Sequence, residues 1–210
     1  ENGPKKLRVN KKKFIYLISP NKIRKPFYND LIGVLKLRKV SFFQLRLKNT
    51  SFKKKIVIGK KIKEICKKYK TKFLINDDVL LAKKLNTDGC HLGQKDMEII
   101  KARKIMKKKI IGITCHNSIK LANLAIKNKA DYLAFGAFNI SKTKKTKYKA
   151  NLILLKKIKK LTNTPIVAIG GINSENYKKL LLNKANFLAI SGYVWNNKKL
   201  KPIEAIKKLK

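Results

Sequence analysis

Acidic residues are scarce in this chain: 11 Asp and Glu stand against 54 Lys and Arg in 210 residues, a formal charge of +43. A surface with so little negative charge attracts any polyanion. A nucleic-acid-binding protein would concentrate its basic residues on one face, interleave aromatic stacking residues or carry a recognisable module. None of these stands out, and the lysines run from one end of the chain to the other. They read as a coat on the solvent faces of ordinary helices, so no specific nucleic-acid partner is expected. What survives is a positive field that draws in phosphorylated small molecules and weakens with salt.

Cysteine is almost as sparse. Cys66, Cys90 and Cys115 form no CxxC pair and leave an odd count, which argues against a secreted disulfide framework and fits a reducing, cytoplasmic setting. No run approaches the roughly 18 apolar residues needed to span a bilayer, so no membrane partner is expected. Residues 1–13 are basic and lead into no apolar stretch, and they read as a flexible tail. Pro- or Ser-rich linkers and repeats of 20–50 residues are missing too, which leaves 14–210 as one domain. At 24.1 kDa such a domain buries roughly 70% of its unfolded surface. Neither a Ser-His-Asp nor a paired-glutamate arrangement supports hydrolase chemistry. Oligomeric state is not legible, and a homo-oligomer is compatible with everything above.

What is present is periodic. Short apolar, β-prone runs occur at 14–20, 40–47, 72–76, 88–93, 110–115, 130–137, 165–171 and 187–192, each followed by a helix-like segment. Between the second and third, Ile58, Ile62, Ile65 and Cys66 fall at helical spacing among lysines, an apolar stripe with a charged back. Strands alternating with helices imply right-handed crossovers and a parallel sheet, and eight units close it. The expectation is an α/β chain folded as a single (β/α)8 TIM barrel. A doubly wound open sheet is the competitor if one strand is miscounted. The longest irregular stretch is 138–151.

In such a barrel, chemistry collects at the C-terminal strand ends and the loops after them. The second run ends Gln44-Leu45-Arg46-Leu47-Lys48, where alternation puts Gln44, Arg46 and Lys48 on one face, toward the axis. Two cations there are costly unless an anion lies opposite. The third run ends Asn76-Asp77-Asp78 and the fourth leads into Gly93-Gln94-Lys95-Asp96, so neighbouring strand ends each offer a carboxylate. Asp77 and Asp96 suit one Mg²⁺, with water and phosphate oxygens completing its shell, but either also suits a helix N-cap. The seventh and eighth runs end Ile169-Gly170-Gly171 and Ile190-Ser191-Gly192, where barrels build a phosphate cup. His91 and His116 each follow a cysteine, and adjacent strand residues point to opposite faces. Neither Cys–His pair can readily serve one ion, and both read as structural.

With these residues assembled, the chain from about Phe14 onward resembles the thiamine-phosphate synthase family. The likeness is carried by Gln44 to Lys48, Ile75-Asn76-Asp77, Asp88 to Asp96, Ile111-Gly112-Ile113-Thr114, residues 136–144 and Ala168 to Ile172. It implies that Gln44, Arg46, Lys48, Asn76 and Lys144 hold a pyrimidine diphosphate, with Asp77 and Asp96 binding Mg²⁺ against its phosphates. Thr114 would belong to the pyrimidine side, Ser141 and Thr143 would contact a thiazole phosphate, and that phosphate would rest on Gly171, Ile190 and Ser191. Thr114 stands where Ser is usual, Ser141 where Thr is usual and Ala137 where Pro is usual, so the hydroxyls are kept.

The implied reaction is dissociative: diphosphate leaves the pyrimidine methylene, the ring stabilises the cation, and the thiazole nitrogen captures it. Arg46, Lys48 and Lys144 would then be catalytic by neutralising charge on the leaving group, and no protein nucleophile is required. A thiazole tautomerase of the same superfamily would need the phosphate cup but neither the cationic grip nor the metal pair. A basic nucleic-acid-binding protein, the rival of another class, would have to bind DNA or RNA at physiological salt.

Overall fold

A computed structural model describes residues 6–139 and 147–210 of the chain, and the statements below concern those residues. Eight strands alternate with helices in the order β1 (Ile15–Ile18), α1 (Pro26–Lys36), β2 (Val40–Leu45), α2 (Phe52–Lys68), β3 (Lys72–Asn76), α3 (Val79–Leu85), β4 (Gly89–Leu92), α4 (Ile99–Met106), β5 (Ile110–His116), α5 (Ile119–Lys127), β6 (Tyr132–Phe135), α6 (Leu152–Leu161), β7 (Ile166–Ile169), α7 (Tyr177–Leu182) and β8 (Phe187–Ile190). Two further helices follow, α8 (Gly192–Trp195) and α9 (Pro202–Lys207). All strand pairs are parallel and β8 pairs with β1, so the sheet is a closed barrel rather than an open doubly wound sheet.

The strands are apolar on both faces, as a barrel requires. In β1, Ile15 and Leu17 pack outward against the helices, whereas Tyr16 and Ile18 point into the interior cluster with Phe42, Leu74, Tyr132, Val167 and Phe187. Four aromatic rings fill this interior. Phe42 and Phe187 meet edge to face at 4.9 Å, and Tyr132 lies 5.6 Å from Tyr16 and 6.1 Å from Phe42. Leu7 and Ile110, the first residue of β5, pack against the same cluster at its lower end, away from the C-terminal strand ends.

Outside, α2 shows how the lysine-rich segments fold. Ser51 caps it by accepting a hydrogen bond from the Lys54 amide, Ile58, Ile62 and Cys66 are buried, and the intervening lysines face water. The three thiols are free and buried, and burial pushes Cys90 and Cys115 up to about 12. They are packing groups, not nucleophiles.

Gly112 on β5 makes room for the interior. A Cβ there would fall 1.9 Å from Cζ of Tyr132, inside the ring's own space. Gly112→Ala is therefore expected to overpack the core at about 1–3 kcal/mol, read as a lowered denaturation midpoint. An unchanged midpoint would mean the Tyr132 ring relocates freely.

Candidate active site at the C-terminal strand ends

The site begins with strand β2 and the turn after it. Gln44 is 3% exposed and reaches the axis, donating through Nε2 to the Tyr16 hydroxyl at 2.7 Å. Buried Ser19, at the end of β1, clamps the next turn: its Oγ accepts from the Arg46 amide at 2.8 Å and donates to the Arg46 carbonyl at 3.2 Å. Arg46 is thereby held half-buried, close enough to Asp77 to act on its carboxyl. Lys48, two residues on, is exposed.

The two carboxylates meet. Asp77 and Asp96 lie close enough to act on each other's protonation, and Asn76 and Arg46 also act on Asp77. Partial desolvation raises the Asp77 carboxyl to about 6, helped by the contact and the like charge of Asp96 and opposed by Arg46 and Asn76. Neither aspartate caps the helix that follows. The N-cap of α3 is Asp78, whose Oδ1 accepts from the Leu81 amide at 2.8 Å, and the N-cap of α4 is Glu98. Asp77 instead sits at φ +65°, a left-handed turn between β3 and the cap at Asp78. Asp96 folds back so that Oδ2 accepts from the Gly93 amide at 2.6 Å, and any Cβ at Gly93 would crowd that oxygen at 2.9 Å.

Beside this pair opens a cleft of about 370 Å³, lined by Leu47, Lys55, Asn76, Asp77, Asp78, Val79, Leu80 and Met97. Lys55 brings a half-buried cation from α2 that sequence reasoning missed, because it is one of three successive lysines with no distinguishing neighbour. Among the described residues, no cluster of three or more His, Cys, Asp and Glu has metal-binding geometry. A pair of carboxylates without nitrogen or sulfur donors suits a hard cation that keeps water and phosphate oxygens in its shell.

Across the mouth, Gly170 and Gly171 take φ values of +113° and +56°, which a side chain would resist. Asn176 Nδ2 donates to the Gly171 carbonyl at 2.8 Å and fixes that turn. After β8, Ser191 Oγ donates to the Ser19 carbonyl at 3.3 Å, and Trp195 Nε1 donates to the Ile18 carbonyl at 2.7 Å. Gly171, Ile190 and Ser191 thus stand at the ends of the neighbouring strands β7 and β8, on the side opposite the carboxylates, with Ile190 itself buried.

The stretch after β6 is tied down at both described ends. Phe138 and Asn139 donate from their amides to the Ile169 and Gly170 carbonyls, and Ala150 donates to Ala137. Tyr148 stacks on His116 at 3.9 Å. Ser141, Thr143 and Lys144 lie outside the described residues.

Thr114 and His91 complete the floor. His91 Nε2 lies 2.8 Å from Thr114 Oγ1 and Nδ1 lies 2.9 Å from the Tyr132 hydroxyl, while Cys90 packs outward with the helices. The opposite orientation of this Cys–His pair is as the strand period predicts. His91 instead links Thr114 to Tyr132 inside the barrel, which its sequence neighbours did not signal.

The thiamine monophosphate synthase family model matches residues 15–194. The thiamine-phosphate synthase of Pelagibacter ubique is 70% identical over 207 residues, covering 98% of this chain and all of that protein. That of Erythrobacter litoralis is 37% identical over 91% of this chain and 92% of its own length. A solved thiamine phosphate pyrophosphorylase from Pyrococcus furiosus superposes with a TM-score of 0.84 at 28% identity, covering 95% and 94% of the two chains. A 3-hexulose-6-phosphate synthase shares the barrel alone, at 14% identity and a TM-score of 0.65. A closed eight-stranded barrel with this array of strand-end residues, matched along nearly its whole length by such relatives, belongs to the thiamine monophosphate synthase family, transferases of thiamine biosynthesis.

Proposed function

We propose that this enzyme joins 4-amino-2-methyl-5-pyrimidinylmethyl diphosphate to 4-methyl-5-(2-phosphoethyl)thiazole, giving thiamine phosphate and diphosphate. The observation that carries the reading is the meeting of Arg46, Asp77 and Asp96 beside buried Gln44, across the barrel mouth from Gly171 and Ser191. A cation and two carboxylates in contact suit a metal–diphosphate, and a glycine-rich turn opposite suits a single phosphate. A tautomerase would use only the second half of this arrangement.

In this reading the C–O bond to the diphosphate breaks with its electron pair leaving on oxygen, and the thiazole nitrogen supplies the pair for the new C–N bond. Mg²⁺, held by Asp77 and Asp96, supplies charge neutralisation on the diphosphate. Arg46 does the same from β2, with Lys48 and Lys144 as further cations and Asn76 as a neutral donor. Ser141 and Thr143 take the thiazole phosphate side with Gly171, Ile190 and Ser191. Residues 14–210 form the catalytic unit, with Leu7 of the preceding segment packed against its interior, and the +43 charge steers anionic substrates inward rather than binding nucleic acid. Three free, buried thiols support a reducing cytoplasmic location.

Mixing the purified protein with Mg²⁺ and both substrates should yield thiamine phosphate and diphosphate in equal amounts by chromatography. No product under these conditions overturns the assignment.

A further inference from the structure

Five side chains cross the barrel interior as one hydrogen-bonded chain. Gln44 Nε2 lies 2.7 Å from the Tyr16 hydroxyl, which lies 2.6 Å from that of Tyr132. The Tyr132 hydroxyl lies 2.9 Å from His91 Nδ1, and His91 Nε2 lies 2.8 Å from Thr114 Oγ1. Tyr16 and Tyr132 are 1% and 0% exposed, so each must place its single proton inside the chain.

Counting protons gives the chain a direction. The Gln44 amide nitrogen can only donate, so Tyr16 accepts from it and must pass its own proton to Tyr132. Tyr132 has then accepted and must donate to His91 Nδ1, which is therefore bare. The ring proton sits on Nε2 and points at Thr114 Oγ1, which accepts it. The Thr114 hydroxyl proton is left to point into the site, and the Gln44 carbonyl oxygen is left as an acceptor at the other end.

We propose that Tyr16, Tyr132 and His91 are positioning residues that polarise the pyrimidine subsite, presenting Thr114 as a hydrogen-bond donor and Gln44 as an acceptor. This rests on the assignment of Gln44 and Thr114 to the aminopyrimidine substrate. A 4-aminopyrimidine carries the complementary pair, ring nitrogens that accept and an amino group that donates. Rotating the Gln44 amide by a half turn would reverse every bond and make Gln44 the donor and Thr114 the acceptor, with the His91 proton on Nδ1, which the tautomer distinguishes. Because Nδ1 accepts from Tyr132 and only Nε2 carries a proton, the His91 ring bears no charge.

The test reads the tautomer directly. The chain has two histidines, and His116→Gln leaves His91 as the single ring in a long-range ¹H–¹⁵N spectrum of histidine-labelled protein. In the free enzyme at pH 7, His91 should show a protonated Nε2 and a bare Nδ1. A protonated Nδ1, or a doubly protonated ring, overturns the proposal. Tyr132→Phe should scramble the tautomer and lower kcat/KM for the pyrimidine diphosphate by on the order of tenfold without a matching loss of folded protein. Tyr16→Phe, which breaks the chain one link earlier, should act in the same direction. Unchanged tautomer and rate in both variants would also sink the idea. Because the spectrum is taken without substrate, a wrong tautomer in an enzyme that still makes thiamine phosphate rejects the relay alone. The stated tautomer in a protein that makes no product rejects the substrates instead.

Discussion

Asp77→Asn and Asp96→Asn should each lose on the order of 10²-fold or more of the synthase activity at low Mg²⁺ while melting no earlier than the parent protein. The two carboxylates act on each other and the helix caps belong to Asp78 and Glu98, so asparagine removes a proposed metal ligand without removing a cap. Stability should in fact move the other way. The Asp77 carboxyl binds its proton more tightly folded, at about 6, than unfolded, near 3.8. Its contribution to stability is therefore fullest below 3.8, declines as pH rises toward 6, and stays lost above that. Asp77→Asn should match the parent protein at low pH and melt higher at pH 7. The same shift makes Mg²⁺ compete with a proton, so the Mg²⁺ concentration for half activity should climb as pH falls below 6. Acting on one ion, the double variant should be little worse than either single one. Variants running at the parent rate in scarce Mg²⁺ would remove the metal from the proposed mechanism.

Arg46→Ala is the other change with a large expected effect, a fall on the order of 10²–10³-fold in kcat. Arg46 is half-buried, its backbone is clamped by Ser19 on both sides, and its charge lowers the Asp77 carboxyl. Losing it removes a cation from the leaving group and weakens the neighbouring carboxylate for metal. Arg46→Lys keeps the charge but not the planar fork, and should recover only part of the rate. Single-turnover kinetics with saturating pyrimidine diphosphate separate this from weaker binding. A loss confined to KM would make Arg46 a docking group alone.

Much of this architecture was readable in the residues. All eight apolar runs became strands because each is buried on both faces, so hydrophobicity alone marked them. Their ends were read long: the 14–20 run shrinks to Ile15–Ile18, and 165–171 to Ile166–Ile169. Apolar and glycine residues continue into the turns after the ladder stops. Alternation also put Gln44 on the axis correctly. The proximity of Asp77 and Asp96 followed from neighbouring strands, but whether either caps a helix did not. It turned on a left-handed residue that puts Asp78, not Asp77, at the start of α3. The Tyr16–Tyr132–His91 chain was invisible because its members lie 116 and 41 residues apart and meet only through barrel closure. Ser19 and Lys55 carried no motif at all.

The aromatic filling of the barrel has a kinetic consequence. With Tyr16, Phe42, Tyr132 and Phe187 packed across the axis, nothing can pass through, and the enzyme is a vessel with a single opening. Under the proposed assignment, a pyrimidine seated at the depth of Gln44 would have to arrive before a thiazole phosphate at Gly171 and Ser191, and its successor would stopper it inside. Turnover would then be a queue, in which depth dictates the order of arrival.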